Sequence, residues 1–345
     1  MQKNRHATIY DIAAEAGVSI ATVSRVLRGE STVAAATRER VEDAIRRHDY
    51  RPSGIARGLA GSATKTIGIV LPRLTNPYYA MLFTGAQEEA RSNGYALSMF
   101  TLTSMSSGAS DPAQLLTERR LDGAVMYVEY QPPDEKERLL ASLQRLREYM
   151  PVVLTGCVRP DTDFPSVVLN HAELVQEIVR TLVSLGHERI AMIGGFREDT
   201  YPLRRDLGYM EGLREARLPF MESYRVFGRA TPDCGRDGLN QILDGLRPAY
   251  WPTAVIAIND LVAMGCYDAA KARGLRIPQD LSVFGCDNLI SAPYLTPALS
   301  SVDLSERAIG ARAVQMAISG EQKHEYAPWK LVERQSCAAP GGTDQ

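Results

Sequence analysis

From Thr66 onward the sequence alternates short apolar runs with amphipathic segments, and this alternation limits the possible folds more than any other feature. The runs are IGIVL (67–71), YALSMF (95–100), GAVMYV (123–128), VVLT (152–155), SVVL (166–169), RIAMIG (189–194), YRVF (224–227), AVIAI (254–258) and SVFGC (282–286). Most are separated by stretches long enough for a helix. Parallel strands need such crossovers, so the pattern predicts parallel sheets with helices on both faces. Between Val152 and Ser166 there is no helical segment, and the series then restarts. That break predicts two α/β lobes.

Ligands of open α/β sheets bind beyond the carboxyl ends of the strands. The residues there are Asn76, Pro77, Tyr78 and Tyr79 after the first run, Arg205 beyond Gly194 and Gly195, Asn259 and Asp260 after AVIAI, and Asp287 and Asn288 after SVFGC. Any one of the Asn or Asp residues could simply cap the following helix. Together, an Arg, an Asp and an Asn beside aromatic rings suit a ring bearing several hydroxyl groups.

The first fifty residues read differently. In ATIYDIAAEAGVSIATVSRVLRG (7–29), Thr8 with Asp11 three residues on forms a capping pair, and Ile9, Ile12 and Ala13 recur at helical spacing. Gly17 ends that helix and Ser19 is placed to cap a second. On the second, Val23, Val26 and Leu27 share one face, while Ala21, Ser24, Arg25 and Arg28 share the other, with Ile20 in the first turn. This is a helix-turn-helix shape, although a two-faced helix can equally be a packed surface element. A third helix is expected over 35–48, with Val41, Ala44 and Ile45 inward and Tyr50 closing the small core.

Charge separates the two regions. Through Lys65 there are eleven Lys and Arg against seven acids, a surplus of four; the overall charge of -2 leaves the remainder near -6. A basic head on an acidic body fits a phosphate-binding module. Between them, residues 52–61 carry Pro52, Ser53, Gly54 and Gly58, a candidate helix too short and too glycine-rich to persist alone in water.

Other classes of function lack their signatures. The five cysteines (Cys157, Cys234, Cys266, Cys286, Cys337) are scattered without a Cys-x-x-Cys pair, so neither a disulfide framework nor a metal site is expected. The five histidines are dispersed, no Walker or GxGxxG motif occurs, and no nucleophile-base-acid set is evident, so no catalytic residue and no cofactor are expected. A polar N-terminus and no apolar run of membrane length predict a cytoplasmic protein without a membrane span.

VSIATVSRVLRG (18–29), TRERVEDAI (37–45), YRPSGIARGLAG (50–61) and TIGIVLPRLTNPYYA (66–80) resemble the LacI/GalR, or lactose-repressor, family of transcription regulators. The similarity continues in order through LDGAVMYV, LGHERIAMIGG, RRDLGYMEGL, PTAVIAINDLVAMG, GLRIPQDLSVFGCDN and LTPALSSV, nearly the whole chain. It implies an N-terminal all-α helix-turn-helix head plus hinge helix, joined to a two-lobed, periplasmic-binding-protein-like α/β body with parallel sheets. The expected boundaries are 1–52 for the head, 53–65 for hinge and linker, and 66–338 for the body, with a disordered tail at 339–345. Within the body the N-lobe is expected at about 66–163 and 292–320, and the C-lobe at about 164–291 and 321–338.

The resemblance also implies roles. Ile20, Ala21 and Arg25 fall where the family reads base edges, Arg25 by a bidentate contact to guanine and the apolar pair by contact with a thymine methyl; Ile20 could instead pack against the neighbouring helix. Thr8, Tyr10, Ser19, Thr22 and Ser24 would hold phosphates. Arg57 is a minor-groove or phosphate contact, and Leu59 the wedge that opens a base step when two hinge helices pair. Read alone, that segment is a plain linker.

In the body, Arg205, Asn259 and Asp287 match the family's polyol- and base-binding residues, and Tyr78 or Tyr79 its aromatic wall. Three positions depart from the pattern: Ala34 stands where a capping Ser is frequent, Arg73 replaces an acid, and Gly156 stands where some sugar-binding members carry Asp. The resemblance therefore implies a homodimeric repressor on palindromic double-stranded operator DNA, modulated by a sugar or sugar phosphate. The alternatives are a catabolite-control-type regulator answering to a partner phosphoprotein, and an enzyme on the same fold.

Overall fold

The computed structural model describes residues 7–27, 31–48, 50, 64–72, 74–101, 111–128, 133–156, 162–195 and 205–341. The hinge positions Arg57 and Leu59, and also Arg28, Arg73 and Cys157, lie outside the described residues. Two compact units divide the chain, residues 1–64 and 65–345.

The first unit contains helices α1 (Ile9–Ala16), α2 (Ile20–Leu27) and α3 (Ala35–Arg47). Thr8 Oγ1 accepts the Asp11 N–H at 3.4 Å while the Asp11 carboxylate accepts the Thr8 N–H at 2.7 Å, closing the capping pair. Gly17 takes φ 63°, ψ 40°, a left-handed turn that a side chain would strain. Ser19 Oγ then accepts the Thr22 N–H at 3.2 Å and starts α2. Ile12, Val23, Val26, Val41, Ala44 and Tyr50 form the buried core. Leu27 is 37% exposed, contrary to its expected place on the inner face, because a three-helix core covers only the Val23–Val26 stripe. Glu15 of α1 pairs with Arg47 and His48 at the end of α3.

The second unit holds two parallel sheets. The first contains β1 (Thr66–Leu71), β2 (Ala96–Thr101), β3 (Gly123–Val128), β4 (Val152–Gly156), β5 (Ser166–Val168) and β11 (His324–Tyr326), in the order β11-β5-β4-β3-β1-β2. Helices α4 (Pro77–Ser92), α5 (Pro112–Thr117), α6 (Pro133–Arg147) and α11 (Glu306–Ser319) accompany it. The second sheet contains β6 (Ile190–Ile193), β7 (Arg225–Val226), β8 (Ala254–Ala257) and β9 (Ser282–Phe284), in the order β7-β6-β8-β9, with α7 (His171–Ser184), α8 (Arg205–Glu215), α9 (Pro232–Gly245) and α10 (Asp260–Ala272). A short antiparallel pair, β10 (Ser301–Asp303) and β12 (Lys330–Val332), stands beside it.

The lobe boundaries differ from those expected. The sequence pattern puts β5 at the start of the second lobe, but it pairs with β4 and β11 in the first sheet, so the chain crosses after it. The helix-free interval between β4 and β5 is a direct connection between neighbouring parallel strands, not a change of lobe. Residues 292–303 likewise stay with the second lobe: Asp287 N–H donates to the Val302 carbonyl at 3.1 Å, and Phe284 bridges Ser300. Residues 324–326 return to the first sheet as β11. Residues 339–341, expected in the tail, are described, and Pro340 lies against Gly186.

Glycines let paired helices touch backbone to backbone. A Cβ on Gly85 of α4 would lie 1.9 Å from the Arg307 carbonyl oxygen, and one on Gly310 of α11 would lie 2.0 Å from that of Leu82. α9 and α10 repeat the arrangement through Gly235 and Gly265. These contacts lock the two helices of each pair together along their backbones.

Candidate functional site

On the head, α2 presents Ile20, Ala21 and Arg25 to solvent, with Ile20 39% exposed. Thr22 and Ser24 are half-buried beside them, and Tyr10 projects from α1 at 69% exposure. Thr8 and Ser19 serve as helix caps, so their hydroxyls are already engaged within the head. Among the described residues, the exposed face of α2 thus combines one guanidinium with an apolar pair, a set able to meet a base edge and a methyl group.

In the body the strand ends of both sheets converge. Asn76 caps α4, its Oδ1 accepting the Tyr78 N–H at 3.0 Å, and its Nδ2 donates to Asp287 Oδ2 at 3.4 Å. Asn76 belongs to the first lobe and Asp287 to the second. Tyr78 and Tyr79 are buried and meet Tyr127, at the end of β3, edge to face, with centroids 5.8 and 5.0 Å away. The expected wall of Tyr78 or Tyr79 is therefore a cluster in which the half-buried Tyr127 is the most accessible ring. Gly156 makes room for it: a Cβ there would lie 2.9 Å from the Tyr127 ring.

Arg205 is the first residue of α8. Its charge acts on Cys286, Tyr78, Asp287 and His171. Burial and the neighbouring Asp260 carboxylate raise Asp287 well above the usual carboxylate range, with Arg205 opposing. Burial, together with Asp287 and Glu306, raises Tyr78 as well. The ring of His171 is held neutral by burial and by Arg205, and its Nδ1 has no hydrogen-bond partner among the described residues.

Asn259 is buried and caps α10, its Oδ1 accepting the Val262 N–H at 2.9 Å. The adjacent Asp260 braces the Asp287 loop, accepting from Ser301 Oγ at 2.6 Å and from the Leu289 N–H at 2.7 Å. Asp287 sits at φ 114° and Asn288 at φ 48°, conformations that persist only where surrounding bonds over-determine them. Arg334 adds one by donating to Asn288 Oδ1 at 2.6 Å.

The structure therefore brings Tyr78, Arg205 and Asp287 together, with Tyr79 behind and Asn259 one residue from the bracing Asp260. Sequence reasoning missed Tyr127, His171 and Cys286. The position of Tyr127 and Cys286 at strand ends was the available signal. Among the described residues no group of three His, Cys, Asp or Glu side chains is placed to hold a metal, and no helix is long and apolar enough to cross a membrane.

Comparison with known proteins bears on both parts. Residues 8–53 match the family described as bacterial regulatory proteins, lacI family, and residues 179–337 match a periplasmic binding protein-like domain. Catabolite control protein A of Priestia megaterium is 33% identical over 310 residues, covering 90% of this chain and 91% of that one. The chain belongs to the LacI family. The HTH-type transcriptional repressor PurR of Pectobacterium carotovorum is another relative of this LacI-family chain, 34% identical over 341 residues, with coverage of 96% and 97%. The lac repressor dimer bound to operator and the anti-inducer ONPF superposes with a TM-score of 0.83 at 26% identity, over 97% of this chain and 100% of that one. Head and body are thus those of a LacI-family DNA-binding regulator.

Proposed function

We propose that this LacI-family regulator is a homodimeric cytoplasmic repressor that reads palindromic operator DNA and changes its affinity when a small effector occupies the cleft at Arg205 and Asp287. The observation that carries the effector reading is the meeting of Tyr78 and Asn76 from one lobe with Arg205 and Asp287 from the other. A ligand touching both lobes favours one lobe arrangement, and its differential affinity is what shifts the equilibrium. The raised Asp287 carboxyl gains a partner when a hydroxyl donates to it, and the Arg205 fork receives an acceptor or an anionic group. A sugar or sugar phosphate meets both demands, against the Tyr78–Tyr79–Tyr127 cluster and beside Asn259.

On the head, Ile20, Ala21 and Arg25 choose the half-site, and Tyr10, Thr22 and Ser24 hold it on phosphates, with Thr8 and Ser19 serving as the caps that place them. The segment 53–65, with Arg57 and Leu59, pairs with its copy in the minor groove. Calorimetry with a panel of sugars and sugar phosphates tests the effector. Binding that is lost in Asp287→Ala supports it; silence across the panel, while a phosphorylated carrier protein binds, would replace it with a protein-responsive regulator.

A further inference from the structure

Arg225 is a charged residue in the two-residue strand β7, and its side chain is 3% exposed. Its Nε and Nη2 both donate to Asp206 Oδ1, at 2.8 and 2.5 Å. Nη1 donates to the carbonyls of Val226 at 2.5 Å and Met192 at 3.3 Å. The guanidinium carbon lies 3.9 Å from the Phe227 ring centre. A Cβ on Gly195 would sit 3.1 Å from Nη2. The guanidinium therefore rests against the end of the β6 strand and grips the second residue of α8.

A buried ion pair adds little net stability over an apolar pair of the same size, because desolvation offsets the attraction. What a guanidinium fork supplies is direction. The body of α8 is already seated: a Cβ on Gly208 would lie 1.9 Å from the Ala172 carbonyl oxygen, and Tyr209 Oη donates to the Ile190 carbonyl at 2.7 Å. The first turn is what Asp206 adds. Arg205 is its neighbour in the chain, and the Arg205 guanidinium charge acts on Cys286 and Asp287.

We propose that Arg225, acting through Asp206, is a positioning residue that fixes the Arg205 guanidinium at the effector cleft. The proposal rests on the reading of Arg205 as an effector contact. Without the pair, the first turn of α8 loses its anchor and Arg205 swings away from the second-lobe wall.

His171 reports the position of Arg205, because the nearby guanidinium disfavours its protonation. The chain has five histidines, so 13C-labelled histidine resolves each in an NMR titration of the full-length protein. The double variant Arg225→Met/Asp206→Leu removes one charge of each sign and leaves the net field nearly unchanged. Its His171 should titrate higher than in the parent protein by about half a pH unit or more, approaching the Arg205→Ala variant. Arg225→Lys keeps the charge on Asp206 without the fork; it should fold readily and move His171 in the same direction by less. An unmoved His171 in the double variant, or in Arg225→Lys should the double variant not fold, overturns the positioning role whatever the cleft binds. A moved His171 combined with an unaltered effector response in Arg205→Ala would instead remove the effector reading and leave the positioning role standing.

Discussion

Asn76 Nδ2 donates to Asp287 Oδ2 at 3.4 Å, joining the first turn of α4 in one lobe to the end of β9 in the other. Asn76 is held by its own capping bond and Asp287 by the Asp260 brace, so the contact senses the angle between the lobes. Lobe rotation is the kind of two-state element through which a ligand can act at a distance.

Asn76→Ala should therefore weaken coupling without removing the binding site. The expected outcome is effector affinity changed less than about threefold, with the effect of saturating effector on operator affinity reduced by about 1 kcal/mol. Fluorescence anisotropy on operator DNA, with and without effector, separates the two quantities.

The carboxyl groups at the lobe junction give stability a distinct pH dependence. Burial pushes Asp260 up to about 7 against its two hydrogen bonds, and pushes Glu306 up to about 7 beside Asp303 and Asp260. A carboxyl whose folded pKa lies above its unfolded value favours the folded state at low pH and loses that contribution as pH rises towards the folded value. The contribution of these two groups to body stability should thus fall between about pH 4 and 7, opposed over the same range by the buried neutral His171, each tenfold difference in proton affinity between the folded and unfolded chain contributing roughly 1.4 kcal/mol. Asp260→Asn should flatten part of this slope, since Ser301 Oγ can accept from the new amide while Leu289 keeps its acceptor. Urea melts across that range check the sign.

Arg25→Ala should cost about 1–3 kcal/mol on operator DNA and leave binding to unrelated DNA nearly unchanged. Equal losses on both would mean that Arg25 holds phosphate. Competition titrations at fixed salt distinguish these results.

Ala34 precedes α3 in an extended conformation with φ -55°, ψ 140° and makes no side-chain cap bond. Ala34→Ser should supply the missing acceptor and stabilise the head by about 1 kcal/mol. Thermal unfolding of the full-length chain, followed by a probe on the head, should show the rise there and no change in the body.

Much of this architecture was legible because its strands are short and uniformly apolar, and because Gly17, Thr8 and Ser19 mark the ends of the head's helices. The lobe boundaries were not. β5 and β11 are three residues each, and their place in the first sheet is decided by pairing with distant strands, which local pattern does not encode. The place of Arg205 and Asp287 beyond the strand ends was legible from the order of the apolar runs. Tyr127 stands at a strand end but belongs to an apolar run that reads as core, and the Asp260 brace was hidden behind Asn259, because which of two adjacent polar residues caps and which braces depends on Ser301 and Leu289. The backbone contacts at Gly85 and Gly310 join segments far apart in the chain, beyond the reach of any helical periodicity.

The most direct measurement selects DNA from a random double-stranded pool with the full-length protein, then titrates the selected site in the presence of a panel of sugars and sugar phosphates. The expected result is a site with two-fold symmetry, and at least one compound that changes its affinity by about fivefold or more, with the response lost in Asp287→Ala. A selected site without two-fold symmetry, or an effector response that survives in Asp287→Ala, would contradict the reading of this chain as a dimeric repressor controlled through its cleft.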